Sequence, residues 1–324
     1  MPTLILPVAG KSSRFPGLRP KWLLTMPNGK LMIEASIDEL DLQQFERIIV
    51  VCLKEHVEEY INLEAYRGAL ETLYGQSFEF VLLDKPTRSQ SETVYEALKR
   101  ADVVGSFFIK DCDNTFEYTF NGGNEIATLS LNDVGLVDAK NKSYVALDDF
   151  DFITNIVEKD VINNIFCCGG YGFESAARFK SEYENLSKNI DSELYVSHII
   201  YSLLLSGEKF KSHRASNYTD WGTIKEYRDF CQEHSTIFCD LDGVLFQNSS
   251  KFGKNGWAVE IIEENIKALM EFMQDGKITL VITTSRPETE REKVLNALSK
   301  YGIHPKHALF GLPHSKRILI NDFA

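Results

Sequence analysis

Three clusters of residues have the types and spacings that phosphate chemistry needs. The first lies in Leu4 to Leu24, LILPVAGKSSRFPGLRPKWLL, where a short apolar strand runs into a turn and a set of cations. Ala9 and Gly10 let the backbone approach a ligand, and Lys11, Arg14 and Lys21 can answer phosphate charge. The second is Ser106 to Asp113, SFFIKDCD, an apolar strand ending in two carboxylates. Alternate positions on an extended backbone project to one side, so Asp111 and Asp113 together offer hard oxygen ligands to Mg²⁺. A turn-forming Asp-Cys-Asp-Asn cluster is the alternative reading. The third is Asp240-Leu241-Asp242-Gly243-Val244, again at the end of an apolar strand. Gly10-Lys11-Ser12 is not a Walker loop, because Ile5 stands where that motif requires glycine, and no GxGxxG follows either.

What the first segment resembles, through Gly10, Arg14, Pro20 and Lys21, is the sugar nucleotidyltransferase family. The resemblance implies that the loop amides, Arg14 and Lys21 neutralise a nucleoside triphosphate while an acceptor phosphate attacks it and pyrophosphate leaves. It also implies that Asp220, in Tyr218 to Thr223 (YTDWGT), completes the Mg²⁺ site with Asp111 and Asp113. Gln90 and Ser91, in Thr87 to Leu98, fall where the family faces the nucleotide base, although Ser91 also reads as a plain helix N-cap. Glu158 and Lys159 resemble the family's Glu-Lys pair, which binds sugar hydroxyls and phosphate. Behind them Gly169, Gly170 and Tyr171 are expected to let an acceptor approach the backbone, although a β-bulge would explain the glycines equally well. CTP is the favoured nucleotide, by resemblance to the cytidylyltransferase branch. A phosphorylated sugar or polyol is the implied acceptor, and the implied setting is surface or capsule polysaccharide synthesis. Two other classes stay open: a glycosyltransferase using Asp111-Cys-Asp113 as a DxD motif, and a phosphatase with a substrate-binding N-terminal domain.

The third segment resembles the haloacid dehalogenase-like phosphatases. The resemblance implies Asp240 as nucleophile and Asp242 as general acid and base, with both also at the Mg²⁺ site. Thr284 would hold a phosphate oxygen, Lys316 is the only candidate for the third-motif lysine, and Asp322 in ILIND would be a further metal ligand. Lys316 lies directly before the apolar run Ile318 to Ile320, without room for a presenting helix, and Ala324 ends the chain soon after Asp322. A trimmed or reduced domain is therefore expected. The interval between Asp242 and Thr284 admits a flap and one helix but no folded cap.

Positioning these residues falls to alternating apolar runs and helical patterns. Strands are expected at Arg47 to Leu53, Phe78 to Leu83, Ser106 to Ile109 and Phe166 to Phe173. Helices are expected near His56 to Leu73, Ser91 to Ala101, Ser175 to Glu184 and Ser192 to Leu205. The pattern restarts after Tyr227 to Glu233, with strands Ser235 to Asp240, Ile278 to Thr283 and Ile318 to Ile320 and a helix Ala258 to Gln274. The expected fold is α/β: a Rossmann-like nucleotidyltransferase domain over 1–232, with a mixed and mostly parallel sheet, then a smaller capless haloacid dehalogenase-like domain over 233–324.

With 324 residues, 44% of them hydrophobic, the chain can build two cores. A net charge of −12 without a basic stripe argues against nucleic acid as a partner. No apolar run reaches the roughly 18 residues of a membrane helix, so no membrane partner and a cytoplasmic location are expected, and homo-oligomerisation is compatible with the sequence. Cys52, Cys112, Cys167, Cys168, Cys231 and Cys239 lack CxxC spacing and read as reduced thiols, while His198 and His213 read as structural.

Overall fold

The computed structural model describes residues 1–12, 14–134, 139–188, 192–254 and 256–320. The chain divides into two compact units, Met1–Arg228 and Asp229–Ala324.

Unit 1 runs in the order β1 (Thr3–Pro7), α1 (Met32–Ile37), β2 (Arg47–Leu53), α2 (Lys54–Tyr60), α3 (Leu63–Tyr74), β3 (Phe78–Leu83), α4 (Gln90–Arg100) and β4 (Phe107–Lys110). It continues through β5 (Asn114–Glu117), β6 (Glu125–Ser130), β7 (Ser143–Leu147), β8 (Ile153–Glu158) and β9 (Ile165–Phe173). The helices α5 (Ala176–Leu186) and α6 (Val196–Leu205), the strands β10 (Lys211–Arg214) and β11 (Ser216–Asp220) and the helix α7 (Ile224–Gln232) follow, and the division between the units falls inside α7.

The main sheet has the order β10-β6-β9-β4-β1-β2-β3, with β7 and β8 attached at β9. Strands β3, β2, β1 and β4 are parallel, and β9 is antiparallel to both β4 and β6. Ile48, Ile49, Val50 and Val51 are all fully buried, as an unbroken apolar run must be in a parallel strand covered on both faces. Alternation deals Leu4, Leu6, Ile48 and Val50 to one core and Ile5, Ile49 and Val51 to the other. From β1 the chain first extends the sheet on the β2 side and then returns to place β4 on the other side. The carboxyl ends of β1 and β4 therefore flank a topological switch point, where open α/β sheets bind ligands.

The helix expected over His56 to Leu73 is two helices, because Asn62 accepts a hydrogen bond from the Ala65 amide (3.1 Å) and starts α3 afresh. Four cysteines, Cys52, Cys112, Cys167 and Cys168, are buried, Cys231 and Cys239 are half-buried, and all six are free thiols. Among the described residues no helix is long and apolar enough to cross a membrane.

Unit 2 holds β12 (Ser235–Asp240), α8 (Glu263–Met273), β13 (Ile278–Thr283), α9 (Arg291–Ser299) and β14 (His307–Leu309), with the three strands parallel in that order. Two expectations fail here. The helix starts at Glu263 rather than Ala258, whose amide and carbonyl are both engaged by loop partners, Ser249 and Arg286. Ile318 to Ile320 is not a strand: it is exposed and unpaired, and the third strand is the less apolar His307–Leu309.

Phe107, Phe173, Phe179 and Phe210 pack ring against ring, with Phe173 at 4.9–5.6 Å from the other three centroids. Phe173→Ala is expected to cost unit 1 about 3–5 kcal/mol, read as a lower urea midpoint for its unfolding transition.

Candidate functional site

The loop after β1 is anchored by its apolar end. Trp22 and Leu23 are buried in a 3₁₀ turn, and the Trp22 indole donates to Nδ1 of His56 (3.2 Å), which leaves Lys21 at the edge of the cleft. The Lys21 ammonium meets Oδ2 of Asp113 at 2.5 Å, and the Arg14 guanidinium lies 3.5 Å from the same oxygen. Gly10 and Lys11 line the cleft as expected. Ala9 does not: it is fully buried in the core and lends the loop only its small size.

Asp111 and Asp113 follow β4, and Lys110, the last residue of that strand, holds them there. Its side chain is fully buried, and its ammonium donates to the carbonyl oxygens of Asp111 (2.6 Å) and Asn114 (2.8 Å) and to Oδ1 of Asn114 (2.7 Å). Its charge also sits 4.5 Å above the Phe116 ring. Burial pushes this ammonium down to about 8, against the pull of Asp111 and Asp113. Burial, together with the neighbouring Asp113 charge, raises the Asp111 carboxyl to about 6. Burial would raise Asp113 as well, but Lys21 and Arg14 outweigh it and hold that carboxyl well below the usual range.

Strand β9 closes the other side. The Asp111 amide donates to the carbonyl of Gly169 (2.8 Å), whose φ is +94°, and a Cβ there would lie 2.7 Å from Nδ2 of Asn114 and 2.8 Å from Oδ2 of Asp111. Glycine is required on both counts. Asp220 arrives through the antiparallel β5–β11 pair, which sets it opposite Asn114, and the Trp221 amide donates to the carbonyl of Asp113 (2.7 Å). Around Gly222, a Cβ would find Oδ1 of Asp220 at 3.0 Å and both Asp113 Oδ2 and an Arg14 nitrogen at 3.6 Å. The three expected groups thus converge. Lys142, which nothing in the sequence singled out, donates to Oδ2 of Asp220 and to the Tyr218 hydroxyl (2.7 Å).

Two cavities meet at this point. A cleft of about 630 Å³ is lined by Gly10, Lys11, Lys21, Arg88 and Lys159 among others. A smaller cavity of about 120 Å³ is lined by Lys142, Ser143, Tyr171, Ser197, Asp220 and Thr223 among others. Arg14, Gln90, Asp111, Asp113, Glu158 and Tyr195 belong to both. Glu158 accepts from the hydroxyls of Ser143 and Ser197 (2.7 Å for the latter), which fixes its carboxylate between the cavities. Lys159, with φ +57°, donates to the Tyr195 hydroxyl (2.5 Å), which donates in turn to Glu193 (2.5 Å). Gln90 donates to Oδ1 of Asp111. Ser91 is neither at the cleft nor the cap: it is fully buried, donates to the carbonyl of Leu194, and leaves the capping of α4 to Ser89. His198 accepts from the Tyr195 amide at the start of α6, and His213 lies 3.7 Å from Glu125.

Among the described residues, no three carboxylate, imidazole or thiolate side chains are grouped to hold a metal ion as they stand. Asp113 and Asp220 each carry a lysine instead, and the donor set is all oxygen, the chemistry that Mg²⁺ accepts.

In unit 2 the register sets Asp240 beside Thr283, so Asp240, Asp242 and Thr284 gather at one sheet edge. Asp240 is partly exposed, with the Arg317 guanidinium 3.6 Å away. Asp242 is gripped by Arg286, which is fully buried and donates through Nε (2.9 Å) and Nη2 (2.6 Å). The Thr284 hydroxyl accepts from the Arg286 amide (3.1 Å). Lys316 is exposed, and Arg317 is the cation beside Asp240. Asp322 lies outside the described residues.

Residues 4–117 match the family of MobA-like NTP transferase domains. Among curated proteins none matches the chain in sequence. In structure the chain is similar to the nucleoside-diphosphate-sugar pyrophosphorylase of Vibrio cholerae RC9, with a TM-score of 0.59 at 21% identity over 71% of this chain and 99% of that one. It is similar also to the inositol-1-phosphate CTP transferase of T. maritima, with a TM-score of 0.54 at 16% identity over 71% and 95%. A protein from Bacillus anthracis described as a glucose-1-phosphate thymidylyltransferase gives 0.55 at 17% identity over 72% and 94%. The likeness establishes the fold: an α/β domain of the NTP transferase type, with a mostly parallel mixed sheet.

Two outcomes follow from this geometry. Gly169→Ala is expected to disturb the Asp111 loop, seen as shifted backbone amide NMR signals at Asp111 and Asn114 beyond those of the substituted strand. Between pH 8 and 10.5 the unfolded chain keeps a proton on Lys110 that the folded chain has released. Stability therefore rises with pH across that window, and the stability of the native chain relative to Lys110→Met should rise with it in urea titrations.

Proposed function

We propose that unit 1 is a Mg²⁺-dependent nucleotidyltransferase that joins a nucleoside triphosphate to a phosphorylated sugar or polyol. The observation that carries this reading is the meeting of two cavities at one wall, where Arg14, Asp111 and Asp113 are shared. Reaction between two bound phosphates needs such an arrangement, because like-charged groups must be brought within bonding distance and held in line.

The triphosphate belongs in the larger cleft, against Gly10, Lys11 and Lys21, and the acceptor in the smaller cavity. Lys21 and Arg14 would neutralise charge on the triphosphate. Glu158, oriented by Ser143 and Ser197, would accept hydrogen bonds from acceptor hydroxyls, and Lys159 would meet phosphate at the cleft side. An acceptor phosphate oxygen forms the new bond to the α-phosphorus, the bond to the bridging oxygen breaks, and pyrophosphate departs. Asp111, Asp113 and Asp220 would hold Mg²⁺, which supplies charge compensation for the phosphates. CTP is the first nucleotide to test, and a cytoplasmic site of action fits its use as substrate.

For unit 2 the proposal is a haloacid dehalogenase-like phosphate site with Asp240 as the nucleophile. Its support is the grouping of Asp240, Asp242 and Thr284 at one strand edge. Arg286 holds in place the Asp242 carboxylate that such a site uses as its acid.

Pyrophosphate and inorganic phosphate, followed separately over a panel of nucleotides and phosphorylated acceptors, test both units. Asp111→Ala is expected to lower pyrophosphate release about a hundredfold or more; an unchanged rate would reject the site in unit 1. Asp240→Asn is expected to abolish release of inorganic phosphate from monoesters and leave pyrophosphate release intact. Phosphate release that survives Asp240→Asn rejects the site in unit 2.

A further inference from the structure

Two lysine–aspartate pairs straddle the wall between the cavities. Lys21 lines only the larger cleft and pairs with Asp113, whereas Lys142 lines only the smaller cavity and pairs with Asp220. The second pair is shielded, with side-chain exposures of 13% and 8%, so its attraction is little screened by solvent. Oδ1 of Asp220 is held by the Gly222 amide at 3.0 Å, and Oδ2 carries the Lys142 ammonium. An ammonium in contact with that oxygen competes with any other cation for it.

The backbone of Lys142 is anchored independently of its ammonium, which is held by Asp220 and the Tyr218 hydroxyl. Its carbonyl accepts from the Lys159 amide (3.0 Å), and the next residue, Ser143, is paired with Glu158 in the β7–β8 ladder. From that anchor a flexible four-carbon stem crosses to Asp220, and such a stem can swing without moving the strand. The cavity beside it holds Glu158 with its two serine hydroxyls, an arrangement that receives the hydroxyl groups of a ligand. Without Lys142, the shared Arg14 is the one cation among the described residues lining that cavity to meet the charge of a phosphate.

We propose that Lys142 is an exchangeable counter-ion: it occupies Asp220 until a divalent cation takes the carboxylate, and its ammonium then binds the phosphate of the acceptor. This rests on the nucleotidyltransferase reading of unit 1. The carboxylate gains a stronger cation, the ammonium gains an oxyanion, and no charge is left buried without a partner, which is the costly alternative.

Mn²⁺ binding to the full chain without nucleotide, read from the free-ion EPR signal, tests the exchange. Lys142→Met is expected to tighten Mn²⁺ by about fivefold or more, since no ammonium then competes for Asp220. Lys142→Arg is expected to loosen it, because a guanidinium grips a carboxylate through two N–H groups; its retained charge and donors also separate exchange from loss of fold. In turnover, Lys142→Met is expected to raise the acceptor KM about tenfold and the nucleotide KM less than about twofold. Unchanged or weaker Mn²⁺ binding in Lys142→Met overturns the proposal, as does an acceptor KM that does not move. Should the native chain release no pyrophosphate with any acceptor, the nucleotidyltransferase reading falls, and the Mn²⁺ measurement still decides the exchange.

Discussion

The buried ammonium of Lys110 is the interaction on which the site of unit 1 depends. Two carboxylates two residues apart repel each other, and both are only partly exposed, so the loop that carries them would open toward solvent if nothing held it. Lys110 spends all three of its protons on oxygens of Asp111 and Asn114 and brings one positive charge beneath the pair. The cost appears in its own ionisation, which burial drives down to about 8. What it secures is the geometry of Asp111 and Asp113 together with that of Asn114, the residue through which β5 pairs with β11 and brings Asp220 into place.

From that fixed point the counter-charges are graded. Lys110 is enclosed and lines neither cavity, Lys21 and Lys142 are mostly buried yet line a cavity each, and Arg14 is largely exposed. A phosphate entering either cavity meets cations whose stems can move, whereas the carboxylates stay where Lys110 and the backbone hold them. Preorganised acceptors beside mobile donors are what a site needs when the ligand brings several negative charges at once. Gly169 belongs to the same logic, since only a residue without Cβ lets β9 approach Asp111 closely enough to bond its amide.

Much of this was legible in the sequence, for a local reason. The strands Arg47–Leu53, Phe78–Leu83, Ser235–Asp240 and Ile278–Thr283 are apolar runs bounded by turn residues, and each forms over that range. Asp111 and Asp113 follow a strand that its own apolar neighbours declare, Arg14 and Lys21 lie on the long loop after β1, and Asp220 was legible from its motif rather than from the strand it ends. Lys142 and Tyr195 were not legible, because Lys142 finds Tyr218 and Asp220 far along the chain and Lys159 reaches Tyr195 from a distant strand end. Ser91 misled because Ser89 and Ser91 are equally good caps by type. Only the start of α4 decides between them, and it buries Ser91 against Leu194. Ile318 to Ile320 misled because apolar composition does not supply a pairing partner.

Unit 2 begins from the same acidic pair at a strand end and arranges its counter-charge in the opposite way. Arg286 is fully buried between the Phe246 and Trp257 rings, each 5.3 Å from its guanidinium, and adds bonds to Ser249 and the carbonyl of Ala258. A guanidinium held on both faces and along its edge cannot swing away. Asp242 is therefore a fixed part of the loop between β12 and α8, tying that flap to the end of β13. Asp240, half open beside Arg317, is the carboxylate left without such a clamp. The two units thus differ less in which side chains they carry than in whether the cation opposite each carboxylate can leave.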